Sequence, residues 1–141
     1  MSGGWANPQA EENVRGLLDH IEANYNIDLR KTLLTGYSMG ATGTWYLAPR
    51  HAERFEAAVP MAGRPPADSA KLNWQTPMYI INSRADELIP FRRVQSTVEQ
   101  LQTRNAPLEL VVVDEITHFQ VPRYQPHLRA AIPWIRRVWS K

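Results

Sequence analysis

The sequence predicts an α/β protein built on a parallel sheet of about four strands with helices on both faces. Three observations support this fold class. Four short runs are apolar throughout, which is typical of strands buried on both faces. Segments with helical spacing separate these runs, so each strand can return parallel to the one before it. The chain has 141 residues, 43% of them apolar, so we expect one domain over residues 1–141.

The first predicted helix covers residues 7–26. Asn7 can cap its amino end, and Pro8 fits the first helical position, where its missing N–H costs nothing. The apolar residues of this helix recur at spacings of three and four and so form a stripe along one face: Val14, Leu17, Leu18, Ile21 and Tyr25. This stripe predicts that one face of the helix packs against the rest of the protein.

The remaining elements alternate to the end of the chain. Proline limits two of them, since the second helix should end near Pro49 to His51 and the last should be bent at Pro133. A polar, proline-rich stretch over residues 64–77 is expected to be a loop. The predicted strands are 32–36, 56–63, 78–84 and 108–115. The second helix is predicted within the segment 39–55, and the later helices at 88–105 and 123–140.

Composition and charge argue against several classes of function. The net charge is +2, and the paired arginines at 92–93 and 136–137 lie in predicted helices, so we expect no nucleic-acid partner. The chain has no cysteine, which excludes disulfides and thiolate metal sites, and no glycine-rich phosphate loop. No stretch suits a signal peptide or a bilayer span. We therefore expect a cytoplasmic protein with no membrane partner, no metal and no cofactor.

Ser38 lies between two glycines, in GYSMG, directly after the first predicted strand. A sharp strand-to-helix turn crowds its neighbours, so Gly36 and Gly40 suit it. Such a turn lifts the hydroxyl above the edge of the sheet and directs the Met39 N–H towards a substrate carbonyl oxygen, as part of an oxyanion hole. The pattern favours a nucleophile, and a serine that caps the second helix is the alternative.

A nucleophilic serine needs a base that takes its proton. His118 follows the fourth predicted strand, so it should lie at the same edge of the sheet as Ser38. The alternative for His118 is a loop histidine that caps the last helix. The other three histidines are expected to be surface or capping residues: His20, His51 and His127.

The base needs a carboxylate that holds its tautomer, and Asp86 follows the third predicted strand at that same edge. An Asx turn or a cap of the next helix is the alternative for Asp86. Glu87 should point away if Asp86 points into the site, while Asp114 and Glu115 can face solvent. Asp68, in the loop after the second strand, is the reserve candidate for the acid.

With serine, aspartate and histidine in this order, the chain resembles the α/β-hydrolase superfamily. The likeness is to small carboxylesterases of the phospholipase/carboxylesterase, dienelactone-hydrolase-like and feruloyl-esterase-like groups. It rests on IEANYNIDLRKTLLTGYSMGATGTWYLA, RFEAAVPMAG, TPMYIINSRADELIP and ITHF, and covers nearly the whole chain. The resemblance implies an α/β-hydrolase core with nucleophile Ser38, acid Asp86 and base His118. The loop from Gly63 to Pro77 is too short to carry a lid domain, so we expect a core without a lid, truncated at its amino end. The resemblance also implies hydrolysis of a small-molecule carboxylic ester through an acyl-enzyme without a cofactor.

The sequence departs from these families mainly at its amino end. In them, a preceding half supplies several strands and a second oxyanion N–H, whereas this chain starts at the helix before the nucleophile strand. Losing one such donor costs about a hundred- to a thousandfold in rate. One hypothesis is that the backbone N–H of Gly3 or Gly4 serves as the second oxyanion donor, while Trp5 lines the acyl pocket. A disordered terminus is the alternative.

Two further expectations concern surfaces. Candidates for lining the substrate pocket are Tyr37, Trp5, Trp74 and Phe119, with core packing as the alternative for each. The strand Thr32–Gly36 should lie at the edge of the sheet. We therefore predict a homo-oligomer, a dimer or larger, that shields the unpaired backbone groups of this strand.

Three functions are compatible with the sequence. The leading prediction is a serine esterase for short-chain carboxylic esters. The second is a weak or inactive hydrolase remnant that serves as an oligomeric binding module, which the absent oxyanion half favours. The third is a thioesterase or peptidase with the same triad, and the peptidase is the least favoured because amide cleavage needs a better-stabilised intermediate.

Overall fold

The computed structural model describes residues 4–141 of the chain, so Gly3, one of the two glycines considered as oxyanion donors, lies outside the described residues. Three short 3₁₀ turns accompany the longer elements, at Leu29–Lys31, Ser69–Lys71 and Val121–Tyr124. The strands are β1 (Leu33–Tyr37), β2 (Ala57–Met61), β3 (Met78–Ser83) and β4 (Leu108–Val113), and the α-helices are α1 (Pro8–Asn24), α2 (Met39–Leu47), α3 (Phe91–Gln102), α4 (Gln125–Ala130) and α5 (Ile132–Trp139).

The strands form one parallel sheet in the order β1-β2-β3-β4. The register aligns Leu33 with Ala57, and Met78 with Leu108. Because all the strands run the same way, the four loops that follow their carboxyl ends lie along one edge of the sheet. This edge carries the candidate site.

Helices cover both faces of the sheet, as neighbouring residues of β3 illustrate. Ile80 belongs to a buried cluster with Trp45 of α2 and Val98 of α3. Ile81, which points to the opposite face, belongs to a second cluster with Trp134 of α5. This arrangement confirms the α/β class and the parallel sheet predicted from the sequence.

All four predicted helices are shorter in the structure, and the last is also divided. Helix α2 ends at Leu47, before the predicted end near Pro49, because Pro49 has no N–H to continue the helical hydrogen bonds. The predicted last helix is a 3₁₀ turn followed by α4 and α5, which meet at Ala131. The division between α4 and α5 makes Pro133 the second residue of α5, and a missing N–H is tolerated in the first turn of a helix.

Helix α1 is held to the rest of the protein mainly by polar contacts. Its Glu11 carboxylate accepts from Tyr46 Oη at 2.9 Å and lies 2.6 Å from His51 Nε2. Burial raises the pKa of Glu11, but the hydrogen bonds from His51 and Tyr46 outweigh this effect and hold that pKa below its usual value. The predicted apolar stripe is only partly packed, since Leu17 and Tyr25 are each 60% exposed.

Candidate active site

Ser38 occupies the sharp turn between β1 and α2, in a backbone conformation that L-residues rarely adopt. Its φ is 54° and its ψ is −113°. The Ser38 N–H donates to the Met61 carbonyl at 2.9 Å, and the Ser38 carbonyl accepts from the Thr42 N–H at 3.0 Å. These two bonds tie the turn to β2 and to the first turn of α2, and so hold the hydroxyl at the edge of the sheet.

The two glycines beside Ser38 have different steric surroundings. A Cβ on Gly36 would overlap the backbone of Gly40, so only glycine fits at position 36. A Cβ on Gly40 would meet no atom within 4 Å among the neighbours considered. The expected crowding beside Ser38 is found at position 36, where only glycine fits, whereas position 40 has room for a Cβ and only its backbone is closely approached.

The imidazole of His118 lies directly beside the Ser38 hydroxyl, with Nε2 2.7 Å from Oγ. His118 follows β4 and is 3% exposed. Its backbone N–H donates to Glu87 Oε2 at 2.8 Å. The rings of Tyr37 and Phe119 lie 5.5 and 5.4 Å from the imidazole centroid and limit its rotation.

Asp86 accepts hydrogen bonds on both carboxylate oxygens. Its Oδ2 lies 2.9 Å from His118 Nδ1, and its Oδ1 accepts from the backbone N–H groups of Leu88 and Ile89 at 2.9 and 2.8 Å. A carboxylate only accepts, so His118 Nδ1 carries the proton and Nε2 is left to accept from Ser38. The predicted Asx turn and the contact with the histidine thus occur together in Asp86.

A cavity of about 340 Å³ opens beside Ser38 and His118. Met39 is the first residue of α2, so its N–H has no acceptor within the helix and is free for a ligand. Gly4 also lines the cavity, and its carbonyl accepts from Asn7 Nδ2 at 2.6 Å. The other residues that line it are Trp5, Ala6, Asn7, Thr42, Arg64, Leu88 and Ile89.

The structure places only one of the four predicted pocket side chains in this cavity, which is Trp5. Trp74 packs edge-on against Trp45 in the core and donates to the Ser69 carbonyl at 2.8 Å, so the expectation that it lines the pocket is corrected. Tyr37 and Phe119 do not line the cavity either and instead flank the imidazole. Their rings therefore contact the histidine rather than the cavity.

The remaining acidic candidates lie away from Ser38, except for Glu87. Asp68 pairs with Arg50 at 3.0 Å, and Asp114 is an exposed residue that pairs with Arg84 at 2.7 Å. Glu87 was expected to point away from the site, but it accepts from the His118 backbone. The turn at Asp86 directs two neighbouring carboxylates towards His118. Asp86 contacts its ring, and Glu87 contacts its backbone N–H.

Of the other three histidines, His20 is exposed on α1 and His127 is half-buried on α4. The expectation that His51 is a surface residue is wrong. Its side chain is 13% exposed and lies 2.6 Å from Glu11, because α1 covers it. None of the three lines the cavity beside Ser38.

Several residues of the cavity were not predicted, Arg64 and Thr42 among them. Arg64 comes soon after β2, at the same edge of the sheet as the other candidates. That position is a usable signal in the sequence, whereas the position of Thr42 depends on how α2 leaves the turn.

Tyr37 and Tyr124 are buried phenols near Asp86, with ring centroids 5.5 Å apart. Burial, together with the negative charge of Asp86, raises the pKa of both phenols above the usual value. Both groups therefore stay protonated at neutral pH, and neither can act as a base there.

Within residues 4–141 there is no cluster of three or more histidine, aspartate or glutamate side chains that could hold a metal ion. In the same range, no helix has the length and apolar character needed to cross a membrane.

A family model described as the dienelactone hydrolase family matches residues 3–133. The chain is 24% identical over 82 residues to a bifunctional acetylxylan esterase/xylanase of Neocallimastix patriciarum, and this match covers 58% of the chain and 12% of that protein.

Two solved structures share the fold. Esterase PE8 superposes with a TM-score of 0.76 at 20% identity, over 92% of this chain and 60% of that chain. A thermostable esterase superposes with a TM-score of 0.77 at 21% identity, over 92% of this chain and 36% of that chain. The chain thus spans less than two thirds of the length of each of these relatives.

Proposed function

The chain belongs to the dienelactone hydrolase family, and we therefore propose that it is a serine carboxylesterase that hydrolyses short-chain carboxylic esters. One observation carries the proposal: a continuous pair of hydrogen bonds runs from Ser38 Oγ to His118 Nε2, at 2.7 Å, and from His118 Nδ1 to Asp86 Oδ2, at 2.9 Å. A serine hydroxyl becomes a useful nucleophile when an adjacent base takes its proton.

In the first half of the reaction, Ser38 Oγ attacks the ester carbonyl carbon while His118 Nε2 takes the hydroxyl proton. The carbonyl oxygen becomes an oxyanion, which accepts a hydrogen bond from the Met39 N–H beside the positive end of α2. The bond from this carbon to the alcohol oxygen then breaks. His118 gives its proton to the departing alcohol, and the acyl group stays on Ser38.

In the second half, water replaces the alcohol. His118 takes a proton from the water, the resulting hydroxide attacks the acyl carbon, and the bond to Ser38 breaks as His118 returns the proton to Oγ. Asp86 stabilises the imidazolium through Oδ2. The two backbone N–H bonds to Asp86 Oδ1 support this role, because they hold the carboxylate in place beside His118.

The small volume of the cavity supports small acyl groups. Its volume is about 340 Å³, and Met39, Trp5 and Ile89 supply apolar surface next to Ser38. Gly4 lines the same cavity, so its backbone remains a candidate for the second oxyanion donor.

The proposal includes a homo-oligomer that covers the outer edge of β1. Among the described residues, β1 is the first strand of the sheet and no strand pairs with its outer side. Apolar side chains in the segment that leads into β1 are exposed, among them Leu29 at 53% and Ile27 at 40%. Covering these groups removes apolar surface from water and satisfies the free backbone groups of the edge.

A fluorophosphonate probe tests the enzyme directly, because it labels only an activated serine. We expect labelling of the parent protein and hydrolysis of p-nitrophenyl acetate, and loss of both in Ser38→Ala. Ser96→Ala, at an exposed position on α3, is the matched control and should keep both. No reaction of the parent protein would reject the esterase and favour the inactive binding module, and labelling that persists in Ser38→Ala would reject Ser38 as the nucleophile.

The preferred acyl group is tested with acetate, butyrate and octanoate esters of p-nitrophenol, and with the acetyl thioester and amide. We expect kcat/KM to be highest for the short oxygen esters. A higher value for the octanoate ester or for the thioester would reject the substrate class while retaining the mechanism.

A further inference from the structure

Trp5 lines a second cavity in addition to the one beside Ser38. This second cavity has a volume of about 330 Å³ and lies between α1, β1 and α2. Among the described residues, Trp5 is the only one that lines both cavities. The rest of the second cavity is formed by one face of α2, at Gly40, Gly43, Thr44 and Leu47, and by Val14, Leu34 and Thr35.

The side chains around the second cavity present mainly apolar groups. None of the described residues that line it is charged. Its two hydroxyl groups are already bonded within the protein, since Thr35 Oγ1 donates to the Val59 carbonyl at 2.7 Å and Thr44 Oγ1 donates to the Gly40 carbonyl at 3.0 Å. A cavity whose polar side chains are satisfied in this way favours a hydrocarbon chain over a polar ligand.

Trp5 is seated directly on the surface of α2. A Cβ on Gly43 would overlap the Cβ of Trp5, and the three atoms nearest to it would all belong to Trp5. The segment around Trp5 is also held at its other end, because the Asn7 side chain accepts from the Ala10 N–H at 3.0 Å and donates to the Gly4 carbonyl at 2.6 Å. The position of Trp5 relative to α2 is therefore fixed.

Helix α2 begins directly after Ser38 and contributes to both cavities. Met39 and Thr42 line the cavity beside Ser38, whereas Gly43 lines the second one. Because Trp5 packs on Gly43 and borders both spaces, its side chain separates them. A smaller side chain at position 5 would join the apolar cavity to the site.

We propose that Trp5 sets the upper limit of acyl-chain length. It closes off an apolar cavity that would otherwise accept the far end of a longer acyl chain bound at Ser38. The inference rests on the proposed esterase activity, and it adds the residue that enforces the preference for short acyl groups.

The ratio of kcat/KM for p-nitrophenyl octanoate to that for p-nitrophenyl acetate tests the inference. Trp5→Ala should raise this ratio by roughly 10- to 100-fold, because additional methylene groups of the longer chain enter an apolar cavity. Trp5→Leu should raise it less, and Trp5→Phe should keep it close to the parent value. Leu17→Ala, at an exposed position of α1 outside both cavities, is the control and should leave the ratio unchanged. Because each ratio is taken within one variant, a partial loss of folded protein cancels.

A second substitution distinguishes the second cavity from a general loosening of the site. Val14 lines the second cavity and does not line the cavity beside Ser38. In the Trp5→Ala background, Val14→Phe fills the second cavity again, and we expect the ratio to fall back towards the parent value. A ratio that stays high would mean that the longer chain does not enter this cavity, which overturns the inference.

Ethyl acetate and octyl acetate test whether the chain belongs to the acyl half of the ester. If Trp5→Ala favours octyl acetate over ethyl acetate and leaves the octanoate ratio unchanged, the assignment to the acyl chain is wrong. An unchanged octanoate ratio, or equal gains on octanoate and acetate, also overturns the inference while the esterase stands. If the parent protein already prefers octanoate, the short-chain preference fails together with the inference. If the parent protein hydrolyses none of these esters, the proposed function fails as well.

Discussion

Ser38 and His118 are eighty positions apart in the chain, yet the Oγ of one lies 2.7 Å from the Nε2 of the other. The parallel sheet explains this distance. Ser38 directly follows β1 and His118 comes shortly after β4, and parallel strands deliver their carboxyl ends to one edge. The expected consequences of this arrangement are measurable.

The first prediction concerns the tautomer of His118. In Asp86→Asn, the amide oxygen can still accept from the Leu88 and Ile89 backbone, which turns the amide nitrogen towards His118 Nδ1. His118 Nδ1 must then accept a hydrogen bond from the amide, so His118 Nε2 carries the proton and cannot take one from Ser38. We expect kcat for p-nitrophenyl acetate to fall by about 10⁴-fold, because this tautomer removes the general base of the triad. Asp114→Asn, at an exposed site, should retain the parent kcat, and equal rates in the two variants would contradict this role for Asp86.

The second prediction concerns Glu87, which positions His118 through its backbone. Glu87→Ala removes the acceptor of the His118 N–H, and we expect kcat to fall about tenfold, the cost of one hydrogen bond to a charged group. Glu87→Gln keeps a side-chain acceptor and should restore most of the rate. If alanine and glutamine have the same effect, the hydrogen bond does not position the histidine.

The third prediction separates the two glycines of the nucleophile turn. Gly36→Ala should lower the free energy of unfolding by more than about 2 kcal/mol, because its Cβ would overlap the Gly40 backbone. Gly40→Ala should be neutral or stabilising by up to about 1 kcal/mol, since position 40 is helical and open. Urea denaturation of both variants decides the matter. A destabilised Gly40→Ala would mean that the turn is tight on both sides.

The fourth prediction concerns alkaline pH. The pKa of Tyr124 is higher in the folded protein than in the unfolded chain because the phenol is buried near Asp86. Above about pH 10, the unfolded chain loses a proton that the folded protein keeps, so the unfolded state binds fewer protons and stability falls as pH rises.

Urea denaturation between pH 8 and about 11 measures this slope. Tyr124→Phe should make the slope shallower. The same slope in this variant and in the parent protein would show that Tyr124 does not contribute to the alkaline loss of stability.

The fifth prediction concerns the edge of the sheet. We expect light scattering at micromolar concentration to give a dimer or a larger assembly. Leu29→Lys, which places a charge next to β1, should dissociate it, while Val112→Lys on β4 should not. A monomeric parent protein would contradict the proposed oligomer.

The sequence by itself was sufficient to predict the sheet and the three residues of the candidate triad. Strand and helix follow from apolar spacing, and parallel strands require that the loops after β1, β3 and β4 meet at one edge. Ser38, Asp86 and His118 could be predicted because each stands soon after a strand.

Only the tertiary structure decided where the neighbouring side chains point. Trp74 turns into the core, Tyr37 and Phe119 flank the imidazole, and Glu87 reaches the His118 backbone. The direction of a loop side chain depends on local backbone angles and on partners far away in the chain, which no spacing pattern records. Arg64 lies at the predicted edge, but its place beside Ser38 depends on the close packing of Gly63 against α2.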